Sequence, residues 1–312
     1  LKRFEREDDA GYQARKKAAC VYPVTAGSIK TTVGTVFKDP IVPQNVIQKD
    51  GETVFEDLPP ALAALLPDID GEGTDISSFL RETFTNGVKL GHSFILVDAP
   101  EPVALAENQT SATLAQVQDR KPFWINYEAS DVFSPRFEKI NGKQKLVQIT
   151  LRERVREPDG DFGEKIVEYW KVLTPGAFTT YQKVKEDFEI VPERGGTTSV
   201  NEITLVVFNT DQPRSFESTP PFSNLADKNI QLLNQESVLD TAQEYIVPML
   251  HFAVESKEAA ETLSSIVLGS NRSVATYPQD SKAGFLELKG DAIPSKERRI
   301  EAIKTEMAAM GA

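Results

Sequence analysis

Leu225, Leu232, Leu239 and Ile246 stand seven residues apart in a run that opens near Ser223 and stops before Pro248. Seven-residue spacing draws one narrow apolar seam along a long helix, expected over 223–245. The positions between, such as Asn229, Glu236 and Gln243, are polar, so this helix is not enclosed on all sides. A second seam follows. Pro294-Ser295 opens a helix in which Ile300, Ile303, Met307 and Met310 share a face. Between the two, Glu258 to Thr262 reads as a short helix, and 265–268, 273–277 and 284–288 read as short strands with Gly or Asn turns. The C-terminal third is therefore helix, small β unit, helix.

The rest of the chain is mixed. Glu5 to Val21 reads as a charged helix, followed by a short apolar segment at Val33, Val36 and Phe37. Prolines 40, 43, 59, 60 and 67 cut the next stretch into loops and short pieces, with a short helix over 58–66. Thr74 is the expected N-cap of a helix carrying Ile76, Phe79, Leu80, Phe84, Val88 and Leu90, which Gly87 and Gly91 close. Ser93 to Asp98 has the continuous apolar centre of a buried strand. Residues 99–121 read as an exposed excursion. From Pro122 to Phe208 the chain reads as β, with strands at 123–125, 146–155, 166–173, 178–184 and 203–208, and Trp124 and Trp170 expected in the core. Turns fall at Asn141-Gly142, Pro158-Asp159-Gly160 and Gly195-Gly196.

Hydrophobic residues make up 40% of 312, enough for a packed core. The formal net charge is −12, which disfavours a clamp that grips DNA by neutralising phosphates. An acidic wall repels DNA and suits a conduit better. The single cysteine, Cys20, cannot close an intrachain disulfide, and no apolar run approaches the ~20 residues of a membrane span. Asp68-Ile69-Asp70-Gly71-Glu72-Gly73 imitates the start of a calcium loop. Its twelfth position is Phe79 where a bidentate Glu belongs, so a tight acidic turn is the better reading. His92 and His251 are far apart in sequence, and no metal site is expected; His92 is read as a hydrogen-bonded structural group. No phosphate-binding Gly loop, dinucleotide fingerprint or nucleophile elbow is present. No catalytic residue and no cofactor is expected, and the chain is not read as an enzyme. The one basic cluster, Lys2, Arg3, Arg6, Arg15, Lys16 and Lys17, is read as a solvated helix face, with DNA or an acidic neighbouring subunit as the functional alternative.

Four motifs in order carry a resemblance. The first is Asp70-Gly71-Glu72-Gly73-Thr74, Phe79, Gly91 and Ile95-Leu96-Val97-Asp98-Ala99-Pro100. The second is Arg120-Lys121-Pro122-Phe123 with Tyr127 and Asp131-Val132. The third is Pro220-Pro221, Leu225-Ala226 and Asn229. The fourth is Leu268-Gly269, Phe285-Leu286-Glu287 and the helix after Ile293-Pro294. Together they resemble a phage-associated family of portal-like proteins long labelled only as a domain of unknown function.

The resemblance implies an α+β portal-like fold: an α/β wing (1–221), a descending stem helix (222–247), a small β-containing clip (248–293) and a returning stem helix (294–312). The long C-terminal region of such portals is absent, so crown and tunnel are expected outside this chain, which is read as a fragment. The family's function is a ring, usually a dodecamer, at one capsid vertex of the virion. DNA is packaged and ejected through it without sequence-specific binding. The implied partners are the terminase on the clip, a head–tail adaptor, the major capsid protein and double-stranded DNA; no membrane is involved, and assembly is in the host cytoplasm. Leu225, Leu232, Leu239, Ile300, Ile303 and Met307 are expected to pack the stem. Asp227, Glu236, Asp240 and Glu244 are expected at the lumen or the subunit interface, and Arg298, Arg299 and Lys304 as partners across neighbours. The rival readings are another head–tail structural protein such as an adaptor or stopper, a hydrolase of unfamiliar type, and a bacterial scaffold.

Overall fold

A computed structural model describes residues 1–5, 7–49, 52–100, 121–160, 162–184, 187–198, 200–211, 216–246, 249–253, 256–258, 267–268, 271–276, 284–286 and 293–311. Most of the expected excursion at 99–121 and most of the short helix expected at 258–262 lie outside these residues. The chain is mixed α and β and divides into two units, one of residues 1–28 with 223–312 and one of residues 29–222.

Within residues 29–222 the organising strand is β3 (His92–Asp98). Successive side chains of a strand point to opposite faces, and here both faces are covered. Strand β3 lies between β4 (Phe123–Glu128) and β11 (Leu205–Asn209) in a three-stranded antiparallel sheet. Phe94 and Leu96 join Tyr127, Ile149, Leu151 and Leu173 in one core. Ile95 joins Ile69, Ile76 and Phe79 in a second. The first core sits against a six-stranded antiparallel sheet, in the order β10 (Gly196–Thr197), β8 (Ala177–Val184), β7 (Gly163–Thr174), β6 (Lys143–Asp159), β5 (Val132–Ile140), with β9 (Asp187–Ile190) also paired to β8. The second sits against helix α4 (Ile76–Leu90). A continuous apolar strand is what a two-faced burial demands.

Helix α4 starts one residue later than expected. Asp75, not Thr74, is the N-cap, its carboxylate accepting from the backbone N–H groups of Ser77 (2.8 Å) and Ser78 (3.1 Å) and from the Ser78 hydroxyl (2.6 Å). These donors hold the Asp75 carboxyl below its ordinary range, the Ser78 hydroxyl most of all. Gly87 lets the helix close on β11, since a Cβ there would lie 2.6 Å from the Phe208 ring. The preceding turn is built from its own acids. Asp70 accepts from Glu72 N–H (2.9 Å) and Thr74 N–H (3.1 Å), and Asp68 from Gly73 N–H (2.8 Å). The carboxylates are thus committed to the backbone, as in an Asx turn.

Other elements differ from the sequence reading. Helix α1 covers only Asp9–Ala18, because Asp8 caps it through Gly11 N–H at 2.8 Å. Helix α2 (Val24–Val36) stands where only a short apolar segment was read. Its Val, Ile and Thr residues have modest helix propensity, so tertiary context decides. An antiparallel hairpin, β1 (Asn45–Lys49) with β2 (Glu52–Glu56), and a one-turn helix α3 (Pro60–Ala63) occupy the proline-cut stretch. Strand β5 was missed because Ser134-Pro135 interrupts it. The structure absorbs them with register shifts around Arg136 and a positive φ of 50° at Ser134, at the sheet edge where proline costs no ladder bond. Trp124 packs edge-on to Phe79 near the second core. Trp170 is instead half-buried on the outer face of the large sheet, against Phe133 and Phe188. The His92 ring packs edge-on to Phe94 at 5.2 Å. Its Nδ1 is buried without a hydrogen bond among the described residues, which corrects the expected hydrogen-bonded role. Burial pushes its pKa down.

Leu151 is fully buried and Val206 is exposed. Leu151→Ala is expected to cost about 2–5 kcal/mol through lost burial and the cavity it leaves, and Val206→Ala to stay within ~0.5 kcal/mol. Urea denaturation of the two variants checks which strand faces form the core.

Candidate assembly surface on the paired helices

Helix α5 (Ser223–Ile246) and helix α6 (Ile293–Gly311) pack on each other. Between them in sequence, β12 (Met249–Ala253), β13 (Val267–Leu268), β14 (Asn271–Thr276) and β15 (Gly284–Leu286) form a four-stranded sheet in the order β13-β14-β12-β15. Strand β12 runs parallel to β14 and antiparallel to β15. The helix–β–helix order read from the sequence is present, with β12 as an additional strand.

Leu225, Leu232, Ile300, Ile303 and Met307 are buried, and Leu239 is half-buried. Each fully buried side chain contributes about 1.5–3 kcal/mol. The charged pairs beside the seam are partly exposed and contribute roughly 0–1 kcal/mol each. The seam therefore holds the helices together, and the ions adjust their register. Lys304 Nζ lies 3.2 Å from Glu236 Oε1, Lys228 pairs with Glu306, and Arg299 lies 3.8 Å from Glu306. Lys228, helped by Arg299, holds the Glu306 carboxyl below its usual range.

The expected charged residues separate into two groups. Glu236 and Lys304 meet within one chain, and Arg299 pairs along its own helix. Arg298 is exposed and donates to the Pro294 carbonyl at 3.2 Å. Asp227 and Asp240 are exposed and form no ion pair among the described residues. The Glu244 side chain lies outside the described residues. Ile230 and Met310 are exposed apolar groups on the same helices.

The sequence reading missed an anchor. Arg15 was placed in a solvated cluster, yet its side chain is 8% exposed and its partner Glu7 9%. It donates to Glu7 at 2.6 and 2.7 Å, to the Lys2 carbonyl at 2.8 Å and to Ser237 Oγ of α5 at 3.0 Å, and it stacks 3.9 Å over the Phe4 ring. Lys2 N–H adds a 2.8 Å bond to Asn234. Lys16 and Lys17 do remain exposed. The end of α1 and the two long helices enclose a cleft of about 440 Å³ bearing Glu236, Asp240, Glu297, Glu301 and Lys304.

A larger cavity, about 690 Å³, lies in residues 29–222 between Phe123, Phe178 and Ile203. Its charged groups are engaged: Lys171 with Asp98 at 3.3 Å, and Glu202 with Lys145. Among the described residues no cluster of His, Cys, Asp and Glu could hold a metal ion, and no helix is long and apolar enough to cross a membrane.

A family model described as a domain of unknown function (DUF4055) matches residues 221–312, the helix–sheet–helix segment and less than half the chain. No curated protein matches. Two solved structures show a distant likeness. A chain from the virion of a native gene transfer agent (GTA) particle is 8% identical, with a TM-score of 0.36, covering 96% of this chain and 68% of that one. A chain from the neck of an empty GTA particle, computed with C6 symmetry, is 8% identical with a TM-score of 0.40, covering 96% and 69%. Identity and score are too low to carry fold or function across.

Arg15 holds the Glu7 carboxyl down to about 2 from an ordinary 4.5. A depressed folded-state pKa stabilises the fold above the unfolded value and loses that contribution as pH falls through the folded one. In urea titrations, Glu7→Gln is expected to be less stable than the parent at pH 6. The gap should close as pH falls from about 4.5 towards about 2.

Proposed function

We propose that this chain is the portal subunit of a tailed bacteriophage: a ring protein at one capsid vertex through which DNA is packaged and ejected. The observation that carries the reading is the pair α5 and α6, packed along narrow seams and joined through a four-stranded sheet. Identical tilted helices in a ring need seams against their neighbours and leave their remaining faces to an aqueous channel. A helix with a thin buried stripe and charged flanks meets both demands. The net charge of −12 favours a wall that DNA slides past over one that holds it.

In this reading α5 descends as one stem helix, α6 returns as the other, and the sheet between them is the clip. The clip receives the terminase during packaging and a head–tail adaptor afterwards, while the major capsid protein surrounds the ring. The ring is a dodecamer. The protein itself catalyses nothing and needs no cofactor. Asp227 and Asp240, exposed and without an ion pair among the described residues, are the lumen or interface acids. Glu236 and Lys304 tie one subunit's own helices together.

Sedimentation of the whole protein tests this. The parent should run as one closed oligomer of fixed mass. Asp227→Lys with Asp240→Lys should lower assembly or DNA retention, while Glu236→Gln should change stability by no more than about 1 kcal/mol and leave the oligomer intact. A parent that stays monomeric at all concentrations contradicts the proposal.

A further inference from the structure

Among the described residues, the strands of the β1–β2 hairpin pair with each other and with no other strand. Yet both faces are apolar. Val46 and Phe55 face each other across the ladder, 57% and 63% exposed, and Ile47 and Val54 form the next pair. An isolated two-stranded hairpin is marginal in water, and an exposed apolar pair on it marks an interaction surface.

The charge of the hairpin says what it fits. From Asn45 to Asp57 the sequence carries Asp50, Glu52, Glu56 and Asp57 against Lys49, a net −3. Among the described residues, the β5 edge is of opposite sign. Strand β5 ends the six-stranded sheet, and among the described residues no strand pairs with its outer side. From Arg136 to Lys145 the end of β5, its turn and the start of the paired strand β6 carry Arg136, Lys139, Lys143 and Lys145 against Glu138, a net +3. Of these, Lys145 is engaged by Glu202. Ile140, 41% exposed, and Phe137, which also touches Phe216, supply apolar surface there. Another exposed apolar edge, β9 with Phe188 and Ile190, carries Asp187 and Glu189 and would repel the hairpin.

We infer that the β1–β2 hairpin of one copy docks on the β5 edge of the next copy of this chain. Two different, complementary patches on one chain make a head-to-tail contact, the kind that closes into rings. Charge guides the docking, and the regular end of the strand beyond Pro135, Phe137–Ile140, supplies backbone bonds. The inference rests on the ring reading only for closure; the contact itself can exist in an open chain of subunits.

The test uses the whole protein with Cys20→Ser as background, carrying Val46→Cys and Ile140→Cys together or singly, under mild oxidation. Both substituted side chains are exposed, so folding is spared. The double variant should give a ladder of covalent oligomers beyond dimer, and neither single variant should give a dimer. Lys139→Glu with Lys143→Glu should abolish the ladder, and adding Glu56→Lys with Asp57→Lys should restore it. No ladder, or dimers from either single variant, overturns the contact. A closed ring of fixed mass without a ladder removes the contact and keeps the portal proposal. A ladder without a closed ring does the reverse.

Discussion

Two seams, each about one side chain wide, govern what helices α5 and α6 can do. Leu225 and Leu232 on one, and Ile300, Ile303 and Met307 on the other, bury the apolar surface along which the pair packs. A wider apolar face would bury the helices in a globular core; a narrower one would not hold them together. Everything else on the pair is set by what the seam leaves over. Glu236 reaches Lys304 and Lys228 reaches Glu306 because they flank it. Asp227, Asp240 and Ile230 remain exposed because they do not. The proposed ring function is a statement about those leftover faces.

The N-terminal segment adds a second constraint of a different kind. Arg15 is nearly buried, and a buried guanidinium is tolerated only when its donors are satisfied. Glu7, the Lys2 carbonyl and Ser237 do this together, and the Phe4 ring covers the remaining face. Removing one partner would strand a charge, which costs far more than the loss of an exposed pair. By their contacts residues 1–28 fall in one unit with the long helices.

What was legible in the sequence was local and periodic. The seven-residue seam, the helix after Pro294, the apolar centre of β3 and the alternation of β6 each signal through spacing within one element, and each element is present. The failures have separate causes. Helix α2 is rich in β-branched residues, whose propensity points away from helix. Strand β5 hides behind Ser134-Pro135, which only an edge position tolerates. The β1–β2 hairpin did carry a signal, Asp50-Gly51 between two five-residue runs, lost among the surrounding prolines. Arg15 cannot be told from Lys16 and Lys17 by spacing, because its burial depends on Ser237, 222 positions away. The resemblance to a portal-like family rests on the four motifs. The geometry adds the placement of the side chains, and it divides the expected charged residues into those paired within the chain and those left exposed.

The central claim is that α5, α6 and the sheet between them build the wall of a ring. Electron micrographs of the purified whole protein test it most directly. Particles viewed down an axis should be rings of one subunit number with a central hole wide enough for duplex DNA. A field of compact monomers, or of particles without a hole, would contradict it.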